Sequence, residues 1–373
     1  MATRTKRPSQ EIVSVRNRGI TVLSSPLVLR GLRELPQNSR WSVRQAFAEP
    51  RTHLAISKDG HIAAYSSASR ELSQRVEISD VELSGPAKSI VVPDEPFVAR
   101  PDFPAAFAWD PKGQLLVAAS GTWHPELHLF SASSGKFAGR FGAFRVYPAH
   151  LCWSESGKYF TASSDGSENA KLTLWMAGDS PEEFEPLCEM DRASAAAATA
   201  SEDDDPEGSR FFGFGAVAFR HDEKLLAVAL EHDGDWSDDT LLLLRAPTLE
   251  IAERYETNGQ VTQFTWCNDR CTLIFCASGQ AYSLDTTNGR MNSLPFAAEL
   301  SQCHPSLPLC AFYNSWLKNS AAGRIFIADL QRNEVIDECH AEGIADIRWS
   351  SDGRTLYCVA LDGVAYVFDC PAC

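Results

Sequence analysis

The stretch ADIRWSSDGRTLYCVALDGVAYVFD, residues 345–369, holds three short apolar segments separated by two polar turns. Trp349 ends the first segment, SSDG follows at 350–353, TLYCVAL covers 355–361, and Asp362-Gly363 leads into VAYVF at 364–368. Segments rich in β-branched and aromatic residues and bounded by Asp-Gly read as antiparallel strands joined by tight turns. A meander this small cannot bury its own apolar faces, so the unit needs neighbours.

Those neighbours are copies of the same pattern: THLAISKDGHIAAYSS from Thr52, AAFAWDPKGQLLVAAS from Ala105, AHLCWSESGKYFTASS from Ala149, GAVAFRHDEKLLAVAL from Gly215, TQFTWCNDRCTLIFCAS from Thr262, and a degraded LSQCHPSLPLCAFYN from Leu300. With the stretch from Ala345 this makes seven copies. The residue ending each first strand is Ile56, Trp109, Trp153, Phe219, Trp266, Cys303 or Trp349, at intervals of 53, 44, 66, 47, 37 and 46 residues. That spacing centres on the ~40–45 residues of a four-stranded propeller blade. The 66-residue interval contains the low-complexity, acidic ASAAAATASEDDDPEGS, 193–209, expected to be a disordered insertion outside the ring.

Third strands are predicted at 127–132, 172–177, 241–246, 281–286, 324–329 and 364–369, and outer strands at 136–141, 250–255 and 334–339. Several third strands alternate apolar and polar residues and so have unlike faces, whereas LLLLRA at 241–246 is apolar on both. The fold class is therefore all-β: a seven-bladed β-propeller of four-stranded antiparallel blades, occupying residues 11–373 after a basic, disordered tail at 1–10. The last copy stops after its third strand, and an open edge invites aggregation, so an N-terminal strand within 12–48 should close the ring. The preferred donor is 12–24 and the alternative is 42–48.

On these residues the chain resembles a divergent member of the WD40-repeat family of seven-bladed propellers, from about Arg51 to Cys370. The last copy matches best: His340 lies four residues before Ile344, Asp362-Gly363 follows the second strand, and Val367-Phe368-Asp369 stands at the family's Trp-Asp ending. The resemblance implies a hydrogen-bonded tetrad of His, Asp, Ser/Thr and Trp. In the last copy His340 and Asp362 fit it, with Cys358 for the Ser/Thr and Phe368 for the Trp; in the third copy Asp165 and Trp175 fit but no His does.

Composition sets the class of molecule. Hydrophobic residues at 44% and charged residues at 22% suit a soluble globular chain and exclude wholesale disorder. The net charge of −15 argues against a general nucleic-acid binder. Residues 1–50 carry a local +6, with Arg4, Lys6 and Arg7 read as a solvated tail. No apolar run reaches the ~18 residues of a membrane span, and the start lacks a secretory segment, so a cytoplasmic location is expected, or a nuclear one in a eukaryote. Eleven cysteines are an odd number for a disulfide framework, and Cys152, Cys276, Cys310 and Cys358 fall in apolar strands where a thiol acts as a small hydrophobe.

Signals for chemistry are weak. No GxSxG elbow exists, and neither Gly135-Lys136 nor Gly157-Lys158 precedes a magnesium-binding Ser/Thr. Cys370 and Cys373 form a CxxC without a partner pair, and Cys267 and Cys271 lie at a hairpin. The acidic run 231–239 lacks the register of a calcium loop. His124 and His128 flank Pro-Glu-Leu, and strand alternation turns His128 away from its neighbours. No catalytic residue, metal or cofactor is assigned.

The tryptophans carry more information. Trp109, Trp153, Trp266, Trp349 and Trp175 read as core, whereas Trp123, Trp236 and Trp316 fall between the second and third strands of the second, fourth and sixth copies. In the propeller geometry implied by the resemblance, those connections share one face, together with Glu126, Asp233, Asp235, Asp238 and Asp239. Aromatics among carboxylates suit a Lys- or Arg-bearing partner. The expected function is a non-catalytic protein–protein interaction scaffold or adaptor, presenting this face to a basic protein segment. The alternatives are a lactonase-like propeller hydrolase with its site at the central channel, and a nucleic-acid-associated assembly factor using the basic N-terminal arm.

Overall fold

In the computed structural model, which describes residues 40–47, 54–65, 75–80, 88–91, 107–119, 125–164, 169–199, 211–232, 240–315 and 323–371, each sequence copy forms one four-stranded antiparallel blade. From first strand to outer strand, blade 1 comprises Leu54–Ile56, His61–Tyr65, Arg75–Asp80 and Lys88–Val91, and blade 2 Phe107–Trp109, Leu115–Ala119, Glu126–Ser131 and Lys136–Ala143. Blade 3 comprises Pro148–Trp153, Tyr159–Ser164, Lys171–Met176 and Glu185–Asp191, and blade 4 Phe211–Phe219, Leu225–His232, Thr240–Arg245 and Glu250–Glu256. Blade 5 comprises Val261–Trp266, Thr272–Ala277, Gln280–Asp285 and Arg290–Ala297, and blade 6 Leu300–Cys303, Leu309–Asn314, Arg324–Asp329 and Glu334–His340. Blade 7 takes Ile344–Trp349, Thr355–Ala360 and Val364–Asp369 from the end of the chain and Trp41–Gln45 from its beginning. Each first strand touches the first strand of the next blade, and the seventh touches the first, so the ring is closed.

The core lies in the seams between blades, because alternate residues of each strand face opposite neighbours. Blade 4 shows this most clearly. Leu242 and Leu244 pack with Leu172 and Leu174 of blade 3. Leu241 and Leu243 pack with Phe264 and Phe275 of blade 5. All four leucines are fully buried, which is why that strand reads as apolar on both faces. Similar apolar layers fill the seams between blades 1 and 2, 2 and 3, 5 and 6, and 7 and 1. At roughly 2 kcal/mol per buried Leu or Phe, these layers supply most of the stability.

Polar contacts set how the blades align. The indole N–H of Trp109 donates to the Ala55 carbonyl (3.2 Å), Trp153 to Ala108 (3.1 Å), Trp266 to Ala218 (3.1 Å) and Trp349 to Gln302 (3.1 Å). In each case the acceptor precedes the equivalent first-strand terminal residue of the preceding blade. Trp266, Trp349 and Trp175 are buried as expected; Trp109 and Trp153 are only half-buried, sealing the edge of a seam rather than filling it.

The closing strand corrects the preferred expectation. The outer position of blade 7 is held by Trp41–Gln45, within the alternative segment, and not by 12–24, which lies outside the described residues. This strand lies a short connection away from blade 1, so little chain must be ordered to place it. The Trp41 ring sits 5.0 Å from that of Phe368, and its indole N–H donates to Asp337 of blade 6 at 3.0 Å. Phe47 follows and is buried in the seam between blades 7 and 1.

The start of the stretch 193–209 also differs from expectation. Its beginning belongs to a helix, Arg192–Thr199, while 200–209 lies outside the described residues. Alanine is the strongest helix former, Asp191 caps the Ser194 N–H at 2.8 Å, and Ala195 is buried against the core shared by blades 3 and 4.

Two substitutions separate these contributions. Trp41→Ala removes a buried aromatic and the ring's fastening, and should cost about 3 kcal/mol in denaturant unfolding. Trp266→Phe keeps the ring and removes the hydrogen bond to Ala218, and should cost about 1 kcal/mol.

Candidate functional site

Antiparallel order puts the turns after the first and third strands at one end of every blade, the turn face. The connections after the second and outer strands leave at the other end, the loop face. Trp123 lies between Ala119 and Glu126, Trp236 between His232 and Thr240, and Trp316 between Asn314 and Arg324, so the strands that launch these connections all end at the loop face. Trp123, Asp233, Asp235, Trp236, Asp238, Asp239 and Trp316 themselves lie outside the described residues. Glu126 is described: it opens the third strand of blade 2, half-buried, 3.7 Å from Arg140.

The turn face carries polar structure that sequence inspection missed. Lys58 Nζ of blade 1 reaches Glu155 of blade 3 at 2.7 Å, and the other oxygen of Glu155 stands 3.8 Å from His221 Nδ1 of blade 4. His221 Nε2 lies 3.2 Å from the Trp266 carbonyl of blade 5. Burial opposes charge on Glu155, but the bonds to His221 and Lys58 outweigh it and hold its carboxyl down at about 2. All three side chains come from turns directly after first strands, a shared position that was the available signal.

A second polar chain runs along the first strands. Gln302 accepts from Arg348 Nη1 at 2.9 Å and approaches Thr265 Oγ1 at 3.4 Å, Arg348 Nε lies 3.5 Å from Asp346, and Asp346 accepts the Ile56 N–H at 3.0 Å. Blades 5, 6, 7 and 1 are thereby linked in sequence. Burial raises the Asp346 carboxyl above its ordinary range, against the opposing pull of Arg348 and the backbone N–H groups. His304 of blade 6 works similarly: Nε2 donates to the Gly353 carbonyl at 2.9 Å, while Nδ1 accepts from the N–H groups of Ser306 and Leu307. Gly353 must lack a side chain, since φ is +73° and a Cβ would collide with the His304 ring. These groups are engaged in joining blades.

His128 is buried with its ring 5.6 Å from Phe137, while His124 lies outside the described residues. Cys370 is half-buried and Cys373 lies outside them; Cys267 is buried in a seam and Cys271 half-buried. Among the described residues, no group of three or more His, Cys, Asp or Glu is placed to hold a metal ion. Cys276, Cys310 and Cys358 are fully buried, in keeping with their apolar strands.

Residues 333–369 match the family model described as WD domain, G-beta repeat. The matched segment runs from the outer strand of blade 6 through the third strand of blade 7. No curated protein matches the sequence. Among solved structures, a chain from "Crystal Structure of Mitotic Checkpoint Complex" is similar at a TM-score of 0.61 and 13% identity, covering 95% of this chain and 99% of that one. This likeness is one of fold. WD40 propellers generally bind protein partners and are generally non-catalytic.

The tetrad implied for the WD40 repeat is not assembled as expected. His340 stands exposed at the end of the outer strand of blade 6, and Asp362 accepts from the Val364 N–H at 3.0 Å, closing its own turn. Tyr313 of blade 6 instead supports the entry to blade 7, its hydroxyl accepting from the Gly343 N–H at 3.0 Å. Phe368 lacks the polar handle of a Trp and packs edge-on against Trp349 at 6.4 Å. In the third copy, Asp165 lies outside the described residues and Trp175 is buried.

The buried His128 makes stability pH-dependent. Burial, assisted by the charge of Arg140, lowers its pKa from 6.5 to about 3. Its stabilising contribution is complete above pH 6.5 and is lost as pH falls toward 3, because the unfolded chain takes up the proton first. His128→Leu should therefore lose less stability than wild type between pH 7 and pH 4.5, by about 2 kcal/mol in paired denaturant titrations.

Proposed function

We propose that this propeller is a non-catalytic interaction scaffold whose loop face receives a basic protein segment. The observation that carries the reading is the common launch point of three Trp-bearing connections, from blades 2, 4 and 6. Trp123, Trp236 and Trp316 supply large apolar surface and cation–π partners, and Glu126, Asp233, Asp235, Asp238 and Asp239 supply carboxylates. The net charge of −15 steers a cationic partner toward the ring. A scaffold whose blades are locked to both neighbours presents its strand ends in fixed positions, so little ordering entropy is lost there on binding.

The polar groups on the first strands and the turns after them favour this reading over a hydrolase. Lys58, Glu155, His221, Gln302, Arg348 and Asp346 are committed to contacts between blades, which suits structural connection better than proton transfer to a substrate.

The test is affinity capture from the native cell with wild type and with the combined Trp123→Ala, Trp236→Ala and Trp316→Ala variant, followed by titration of the captured partner. Binding should weaken at least about tenfold and fall with added salt, while the melting temperature is unchanged. Equal capture by the folded variant overturns the proposal.

A further inference from the structure

Blade 6 lacks the indole bond that joins blades 2, 3, 5 and 7 to their preceding neighbours. Where blades 2, 3, 5 and 7 end their first strand with a Trp that donates to the preceding blade, blade 6 ends its first strand with Cys303. The seam to blade 5 is joined in other ways: Cys303 N–H donates to Thr265 Oγ1 at 3.0 Å, and Ser301 N–H donates to Gln263 Oε1 at 2.7 Å. A third contact is between sulfurs. Cys267, directly after Trp266, places its Sγ 3.0 Å from Cys303 Sγ. Both thiols are buried, at 7% and 5% exposure, in the apolar layer between blades 5 and 6.

We propose that Cys267 and Cys303 form an oxidisable staple, a thiol pair that a peroxide converts into a disulfide joining blades 5 and 6. A disulfide has a bond of ~2 Å, so the sulfurs need to approach by only about 1 Å. The chemistry balances with hydrogen peroxide as the oxidant. Cys267 sulfur attacks one peroxide oxygen, the O–O bond breaks, and the departing hydroxide takes the thiol proton as water, leaving a sulfenic acid on Cys267. Cys303 sulfur then attacks Cys267 sulfur; the S–O bond breaks, and hydroxide leaves with the Cys303 proton as a second water. Two thiols lose two electrons in total, and one peroxide is reduced to two waters.

The surroundings define how the pair behaves. The Cys303 contact and burial push the Cys267 thiol far up, and burial does the same for Cys303, so both rest protonated and react slowly. Cys310 lies opposite Cys303 on the adjacent strand, also fully buried, and is the competing partner within the blade. A link to Cys267 crosses a seam, whereas a link to Cys310 joins strands already hydrogen-bonded. Only the former adds a covalent tie between the two blades. This inference is independent of the loop-face proposal.

The experiment treats the full chain with hydrogen peroxide, alkylates remaining thiols with N-ethylmaleimide, digests without reduction and identifies linked peptides by mass spectrometry. The expected result is a Cys267–Cys303 link reversed by dithiothreitol, with the melting temperature of the oxidised protein raised by roughly 5 °C. Cys267→Ala, tested in parallel, should retain its fold and show no oxidant-dependent rise. Recovery of both residues as alkylated thiols, or a Cys303–Cys310 link in their place, overturns the proposal. The peptide identification is made on the wild type, so it decides the matter even where a variant does not fold.

Discussion

Every blade of this ring has two apolar faces, and neither is buried until another blade covers it. That constraint makes closure a condition of stability, because one missing neighbour would expose two faces at once. Leu241 to Leu244 show the geometry at its simplest, with successive residues of one strand belonging alternately to two seams. The hydrophobic layers provide most of the free energy but are tolerant of small sliding motions. The indole-to-carbonyl bonds of Trp109, Trp153, Trp266 and Trp349 add a directional requirement that fixes how far one blade is offset from the next.

Where the indole is missing, other groups join the blades. Asp346 accepts the Ile56 N–H between blades 7 and 1, and Thr265 accepts the Cys303 N–H between blades 5 and 6. His304 reaches Gly353 between blades 6 and 7, adding to the bond made by Trp349. Different side chains thus meet one geometric requirement, which explains how repeats so unlike one another still build a regular ring. Between blades 5 and 6 the substitute also brings two sulfurs together.

The same division bears on function. Turn-face polar residues are drawn into contacts between blades, so their charges hold the scaffold together. The loop face begins where strands end, and its connections vary in length and composition without disturbing the seams. A fold of this kind separates the part that must be conserved in geometry from the part free to recognise a partner.

Much of the architecture was legible in the sequence because its signal is periodic. Seven copies, their strand order and the doubly buried LLLLRA strand follow from a two-residue alternation inside a repeat of roughly 45 residues. The strands that launch the three Trp-bearing connections all end at one face, because antiparallel order dictates which end each connection leaves from. The tertiary structure decided what periodicity does not encode. Closure by Trp41–Gln45 depends on which N-terminal segment reaches the open edge beside blade 6, where Asp337 accepts the Trp41 indole. His340 matches its motif position yet stands exposed, since a local spacing does not specify the direction of a side chain at a strand end. Lys58 with Glu155, and Cys267 with Cys303, lie far apart in the chain, and their proximity exists only once neighbouring blades have packed.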